Sequence, residues 1–469
     1  MDKFLHAENR LDPFHSGFWT KSSAQAVWVA HPQVMRQVKQ GLAYLEAPWQ
    51  MSEEEALDVL TRPRYRNQVV GVLGALMQWR TCTGQQLAAI CGVDALASQF
   101  RTKSARSRVL TALWTLDLIE YGRVVSGAWV TQPRHAPLLY RPASVKAFEK
   151  IVAPLLTRAE LTAVTGGSQY SSFHQFDRHN VLSTELALRF CEFCEAGTVV
   201  GEALSTFDHL SFGRWTRLHE LENKSVPANM ADLVLVRADG LRVAVELTAS
   251  GTTPGLKAKI FSWARLLQHA PFEDTGLVVL FLEAAPPFSR SISAKKLGVD
   301  LRTMISKAIN RFPGTRQDLT SDRMFVTSWT SLFPTSSEPS PNFALLKSDK
   351  ALGTHPQTWC ETNLMDIFDL PLPVGVNPQL PRVVANSLSL AGTPALIGRA
   401  HPTFRGVDST SGSLQALGGL PQGMQVVSSR PGKHPARNPQ TGNGAVTQSL
   451  LPSRLVWAPH SQVGPPPVV

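Results

Sequence analysis

The chain has 469 residues, of which 43% are hydrophobic and 17% charged, and it carries a formal net charge of +10 at pH 7. That length exceeds what one core usually supports, so two or three domains are expected, and the positive balance suits a polyanionic partner. Five cysteines in so long a chain exclude a disulfide framework, and neither a secretory stretch near Met1 nor an apolar run of the ~20 residues that span a bilayer is present, so the expectation is a cytoplasmic, nucleoid-associated protein without membrane contact.

Residues 1–60 read as a helical lead-in, with helix starts at Pro32 and Ser52. Ser52 followed by Glu55 fits a capping box, in which each side chain satisfies the other residue's free amide. Residues 61–143 read as three helices and a hairpin, the order of a winged helix-turn-helix. Val69, Val72, Leu73, Leu76 and Met77 mark one face of a helix between Tyr65 and Trp79. A short helix from Thr83 to Gly92 follows, then a third from Ser104 to Leu118 that buries Val109, Leu110 and Leu113. Strands at 119–125 and 128–131 flank Ser126-Gly127, a hairpin turn.

Residues 144–174 read as a linker, and 175–334 as a second domain. Its periodicity predicts a helix over 179–195, strands at 199–205, 231–236 and 242–248, and a helix over 254–268 opened by Pro254. A strand at 276–283, a helix over 292–310 and a strand at 323–328 complete it. The order α-β-β-β-α-β-α-β predicts a mixed sheet covered on both sides, and the whole chain reads as an α+β or α/β multidomain protein. From residue 335 the composition becomes rich in Pro, Gly and Ser. Residues 371–469 alone hold 15 of the 33 prolines and a net charge of +6, so 335–469 is expected to be a basic, mostly disordered tail.

Charge gathers in the winged-helix segment, where eleven basic residues face only Asp94, Asp117 and Glu120 between residues 62 and 141. Arg101, Lys103, Arg106 and Arg108 cluster at the start of the third helix, the end that enters the major groove in this fold. Arg123 and Arg134 bracket the hairpin, where a wing would touch backbone. These six are the expected contacts to double-stranded DNA, positioning the protein on phosphate without reading sequence.

The most specific feature is a pair of apolar strands that each carry one carboxylate. Asp232 opens Leu233-Val234-Leu235-Val236, and Glu246 lies in Val243-Ala244-Val245-Glu246-Leu247. A charge in a buried strand costs several kcal/mol unless paired or bound to metal. Two such acids on neighbouring strands suit Mg²⁺, which needs few protein ligands, and make Asp232 and Glu246 the expected metal ligands. Glu185 in the preceding helix is a third acid, and Lys257 and Lys259 open the following helix, where a lysine would stabilise charge on an attacked phosphate.

The element order and the positions of Glu185, Asp232 and Glu246 resemble the PD-(D/E)XK nuclease superfamily. The preceding winged helix, His179 and Leu256-x-x-Lys259-Ile260-x-x-Trp263 are together similar to the replication-relaxation family of bacterial plasmids and integrated elements, over about residues 60–330. The resemblance implies a DNA-binding protein of a mobile element that acts in replication or transfer, alongside other proteins of that element. It makes Asp232 and Glu246 metal ligands, Glu185 an accessory acid and Lys259 the catalytic lysine, with Lys257 the less favoured choice. Ala231 stands where the superfamily has proline, and Thr248 where it usually has its lysine. A lysine from the neighbouring helix would restore an endonuclease or nickase; without one, the domain would be a non-cutting relic. A transcriptional or assembly regulator whose second domain makes only protein contacts, and a metal-dependent restriction or defence endonuclease, are the alternatives. Cys191 and Cys194 have CxxC spacing but no partner pair, and read as core thiols rather than a zinc site.

Overall fold

The computed structural model describes residues 7–15, 26–45, 47–97, 107–124, 138–165, 170–172, 177–193, 198–202, 205, 231–236, 241–249, 254–285, 287, 294–336, 339–354, 356–364, 424–428 and 455–459. It is a mixed α+β fold with two principal sheets, one four-stranded and one seven-stranded.

The small sheet begins in the lead-in. Strand β1 (Ala26–Val29) precedes helices α1 (His31–Lys39), α2 (Glu53–Thr61) and α3 (Pro63–Trp79), strand β2 (Cys82–Thr83) and helix α4 (Gly84–Cys91). Then come α5 (Arg108–Thr115), β3 (Ile119–Val124) and β4 (Leu138–Pro142), and the strand order is β1-β3-β4-β2. Local chemistry sets these boundaries. Thr83 and Gln86 form a reciprocal capping box at α4, and Gly92 closes that helix at φ 65°, a left-handed value that glycine adopts without strain. The Ser52 hydroxyl accepts from the Glu55 amide, but the Glu55 carboxylate pairs with Arg108, so only half of the expected box forms at α2.

Four expectations change here. The lead-in is not helical throughout, because β1 pairs with β3 and lays Trp28 over Gly122, where an added Cβ would lie 2.7 Å from the ring. The third helix starts at Arg108, with Ser107 as its cap, rather than at Ser104. The partner of β3 is β4; the proposed wing strand at 128–131 lies outside the described residues. The segment 144–165 is not bare linker, since α6 (Arg158–Thr165) ties to α3 through Arg66, whose Nε donates to Glu160 Oε1 at 2.6 Å.

The large sheet follows helix α7 (Asp177–Phe193). Strands β5 (Thr198–Gly201), β6 (Leu233–Val236) and β7 (Arg242–Thr248) run antiparallel to one another. Helix α8 (Pro254–His269) then leads to β8 (Leu277–Glu283), and α9 (Ala294–Arg311) to β9 (Met324–Ser328), giving parallel β7-β8-β9. Strands β10 (Lys347–Ala351) and β11 (Trp359–Asn363) close the sheet antiparallel, in the order β11-β10-β9-β8-β7-β6-β5. The tail therefore starts later than 335: Leu346, Ala351 and Leu364 are buried and anchor this last hairpin to the core. Beyond it, Met424–Ser428 pairs with Leu455–Pro459.

Alternation along the strands sorts side chains between two cores. Leu233, Leu235, Val243 and Val245 join a core that continues through α7 into the small-sheet helices. Val234, Ala244, Val279 and Phe281 face α8 and α9 with Ile260, Trp263 and Leu301. The small-sheet unit is also tied to α7 at Asp177, which accepts from Trp28 Nε1 and Thr81 Oγ1, both at 3.0 Å.

Candidate active site

Antiparallel pairing of β6 with β7 sets Leu233 opposite Val245, and the Asp232 amide, one residue earlier, donates to the Val245 carbonyl at 3.1 Å. One step along the same register, Asp232 lies opposite Glu246. Both share the parity of Val234 and Ala244, so both carboxylates face α8. Helix α8 then supplies Lys259 and, one turn on, Trp263. The Lys259 ammonium lies 2.5 Å from Glu246 Oε2 and 3.5 Å from Asp232 Oδ1. Trp263 Nε1 donates to Glu246 Oε1 at 2.5 Å, the Leu247 amide donates to Asp232 Oδ2 at 2.6 Å, and His179 Nε2 lies 2.9 Å from Asp232 Oδ1. The acids are buried at 7% and 4% side-chain exposure, whereas His179 and Lys259 retain 25% and 34%. The site is thus a buried acid pair covered by a lysine and a histidine that reach solvent.

Burial alone would raise the pKa of both acids. At Asp232 the charges of His179 and Lys259, with hydrogen bonds from His179 and the Leu247 amide, outweigh burial and hold the carboxyl well below the usual range. At Glu246 burial prevails over Lys259, the Asp232 charge adds to it, and the pKa is pushed up to about 7. Burial opposes the charge on Lys259, yet the two acids hold its pKa above the usual lysine value. His179 likewise is raised, because the Asp232 charge and hydrogen bond outweigh burial. Two neighbouring carboxyls with opposite shifts can serve opposite roles near neutral pH, one a fixed anion and the other a proton acceptor.

Asp232 Oδ1 and Glu246 Oε2 converge on one ammonium, and the other carboxylate oxygens are held by the Leu247 amide and the Trp263 indole. Two hard oxygens meeting at one cation fit the ligand chemistry of Mg²⁺, on condition that Lys259 withdraws. Among the described residues, no group of three or more His, Cys, Asp and Glu is placed to hold an ion.

Glu185 is elsewhere. It lies on α7 at 0% exposure, accepts from Arg10 Nη2 and Arg189 Nε, both at 3.1 Å, and from Gln86 Nε2 at 3.2 Å. Arg189 continues to Asp12 at 2.9 Å, so this acid belongs to a sealed ion network that joins the N-terminal segment to α7. Lys257 is exposed on α8, its ammonium 5.9 Å from the Phe261 ring centroid. Two further side chains, Trp263 and His179, complete the site. The four-residue step from Lys259 to Trp263 was the signal that both address one site.

Of the basic residues expected at DNA, Arg101, Lys103, Arg106 and Arg134 lie outside the described residues, as does Cys194. Arg123 stands half-buried on β3. Arg108 is ion-paired with Glu55, and within the same segment Arg62 pairs with Asp58, Arg66 with Glu160, Arg80 with Glu202 and Arg141 with Glu120. Much of the +8 charge of that segment is therefore balanced by acids, most of them from outside it. Among the described residues no helix is long and apolar enough to cross a membrane.

No protein family, no curated protein and no solved structure matches this chain. The fold and site define an α+β protein with a histidine-, lysine- and tryptophan-bound acid pair on two interior strands of a mixed sheet.

Proposed function

We propose that the chain acts on DNA in the replication or transfer of a mobile genetic element, with the small-sheet unit a winged helix and the large sheet a PD-(D/E)XK-type domain that nicks or grips the duplex. The observation that supports this reading above all is the meeting of Asp232 and Glu246, opposite one another on adjacent strands, at the ammonium of Lys259. Asp232 and Glu246 are the residues that would hold Mg²⁺, which when bound supplies Lewis acidity to a phosphodiester and a more acidic water. Lys259 sits where it can exchange its acids for a phosphate oxygen, and His179 orients Asp232 through the same oxygen, Oδ1, that Lys259 approaches.

One observation favours a second reading. The ion pairs of Arg62, Arg66, Arg80, Arg108 and Arg141 leave less positive charge for phosphate, as suits a regulator whose contacts are with protein. Incubation of supercoiled plasmid with the protein and Mg²⁺ or Mn²⁺, beside the Asp232→Ala/Glu246→Ala double variant, separates the two. Nicking by the parent that the variant and chelator abolish supports the enzyme. A salt-sensitive gel shift indifferent to chelator and to the acids identifies a binder that does not cut. Absence of both nicking and shift overturns the DNA reading.

A further inference from the structure

A polar cleft of about 430 Å³ opens at the carboxyl ends of β8 and β9, between α9 and β10. In parallel sheets this edge is where ligands settle. Glu283, the last residue of β8, pairs in register with Ser328, and by strand parity it shares the α9-facing side with Phe281 and Val326. Arg302 of α9 and Asp349 of β10 form an ion pair across the cleft, and Lys347 Nζ lies 2.7 Å from Glu361. Those four charges cancel in pairs. Glu283 is different: it is 7% exposed, and among the described residues its side chain takes part in no ion pair or hydrogen bond. Gly298 gives it room, since a Cβ there would stand 3.2 Å from Glu283 Oε2 and 3.1 Å from Arg302 Nη1.

A buried carboxyl without a donor is costly when ionised. Burial raises its pKa to about 7, and the charge of Arg302, which is itself paired with Asp349, offsets only part of that effect. Ionised, Glu283 is the uncompensated charge of the cleft, and a donor cation entering the cavity would supply what the fold does not. We propose that this cleft is a binding site for a small organic cation, an amine or guanidinium group, held by Glu283. The assignment is independent of any action on DNA.

Agmatine, which carries both groups, is the probe, titrated calorimetrically into the full chain, with tetramethylammonium at equal ionic strength as a cation that cannot donate hydrogen bonds. The expected result is saturable binding of agmatine alone, strengthening about ten-fold from about pH 6 to about pH 8 as Glu283 ionises. Glu283→Gln should abolish it. Gly298→Ala, which favours the helix but crowds the carboxyl, should weaken it in a protein that melts no lower than the parent. Absence of saturable binding, equal binding of tetramethylammonium, or binding unchanged in both variants overturns the assignment.

Discussion

Glu185→Gln tests whether this acid is structural. The carboxylate is fully buried between Arg10 and Arg189, and Asp12 balances the second guanidinium. The amide keeps one acceptor oxygen but turns an NH₂ toward arginine donors and leaves a net positive charge in a sealed site. Loss of one partner from a buried pair costs about 3–5 kcal/mol, whereas an exposed i,i+4 pair of the same residues is worth only ~0.3–0.5 kcal/mol. In urea, with m near ~3 kcal/mol/M, that loss moves the unfolding midpoint down by about 1–2 M, read by tryptophan fluorescence. The dependence on pH follows from sign. The guanidinium charges outweigh burial and hold Glu185 below the ordinary carboxylate range. Its contribution is thus present above the unfolded pKa and lost as pH falls through the folded one, and Glu185→Gln should flatten that acid limb. A midpoint that corresponds to a loss under about 0.5 kcal/mol, with plasmid nicking abolished, would refute the reasoning and return Glu185 to the chemistry.

The His179–Asp232 pair has the opposite sign. Because the folded pKa of His179 is raised, its contribution is complete below about pH 6.5 and fades as pH rises through the folded value. Melting temperatures across that window should fall in the parent and stay flatter in His179→Gln. Trp263→Phe removes the donor to Glu246 Oε1 and leaves a small cavity, a loss of about 1–3 kcal/mol that moves the Glu246 pKa further up, as carboxyl ¹³C shifts would register.

The order of helices and strands from α7 to β9 was legible because it is written in local periodicity, and Pro254, Thr83 and Gly92 mark helix ends by their own chemistry. The placement of Asp232 opposite Glu246 was nearly as legible, since two short adjacent strands admit few registers once the apolar positions must alternate between cores. Glu185 misled for the same reason that it looked promising. A lone acid in an amphipathic helix has the same sequence signature in a site as in a buried ion network, and its partner Arg10 is 175 residues away.

Strands β1, β10 and β11 escaped a local reading because their stability comes from neighbours: Trp28 rests on Gly122, Asp349 and Lys350 pair with β9, and Asp349 also meets Arg302 of α9. Charge balance was hidden in the same way. Net charge counted along residues 62–141 omits Glu55, Asp58, Glu160 and Glu202, which folding brings against its arginines. Sequence alone determined the run of helices and strands from α7 to β9 and which acids interrupt apolar strands, because those depend on residues a few positions apart. Only the tertiary structure decided which charges meet, which acids are buried and which face solvent, because Coulomb interaction and burial depend on distance in space rather than along the chain.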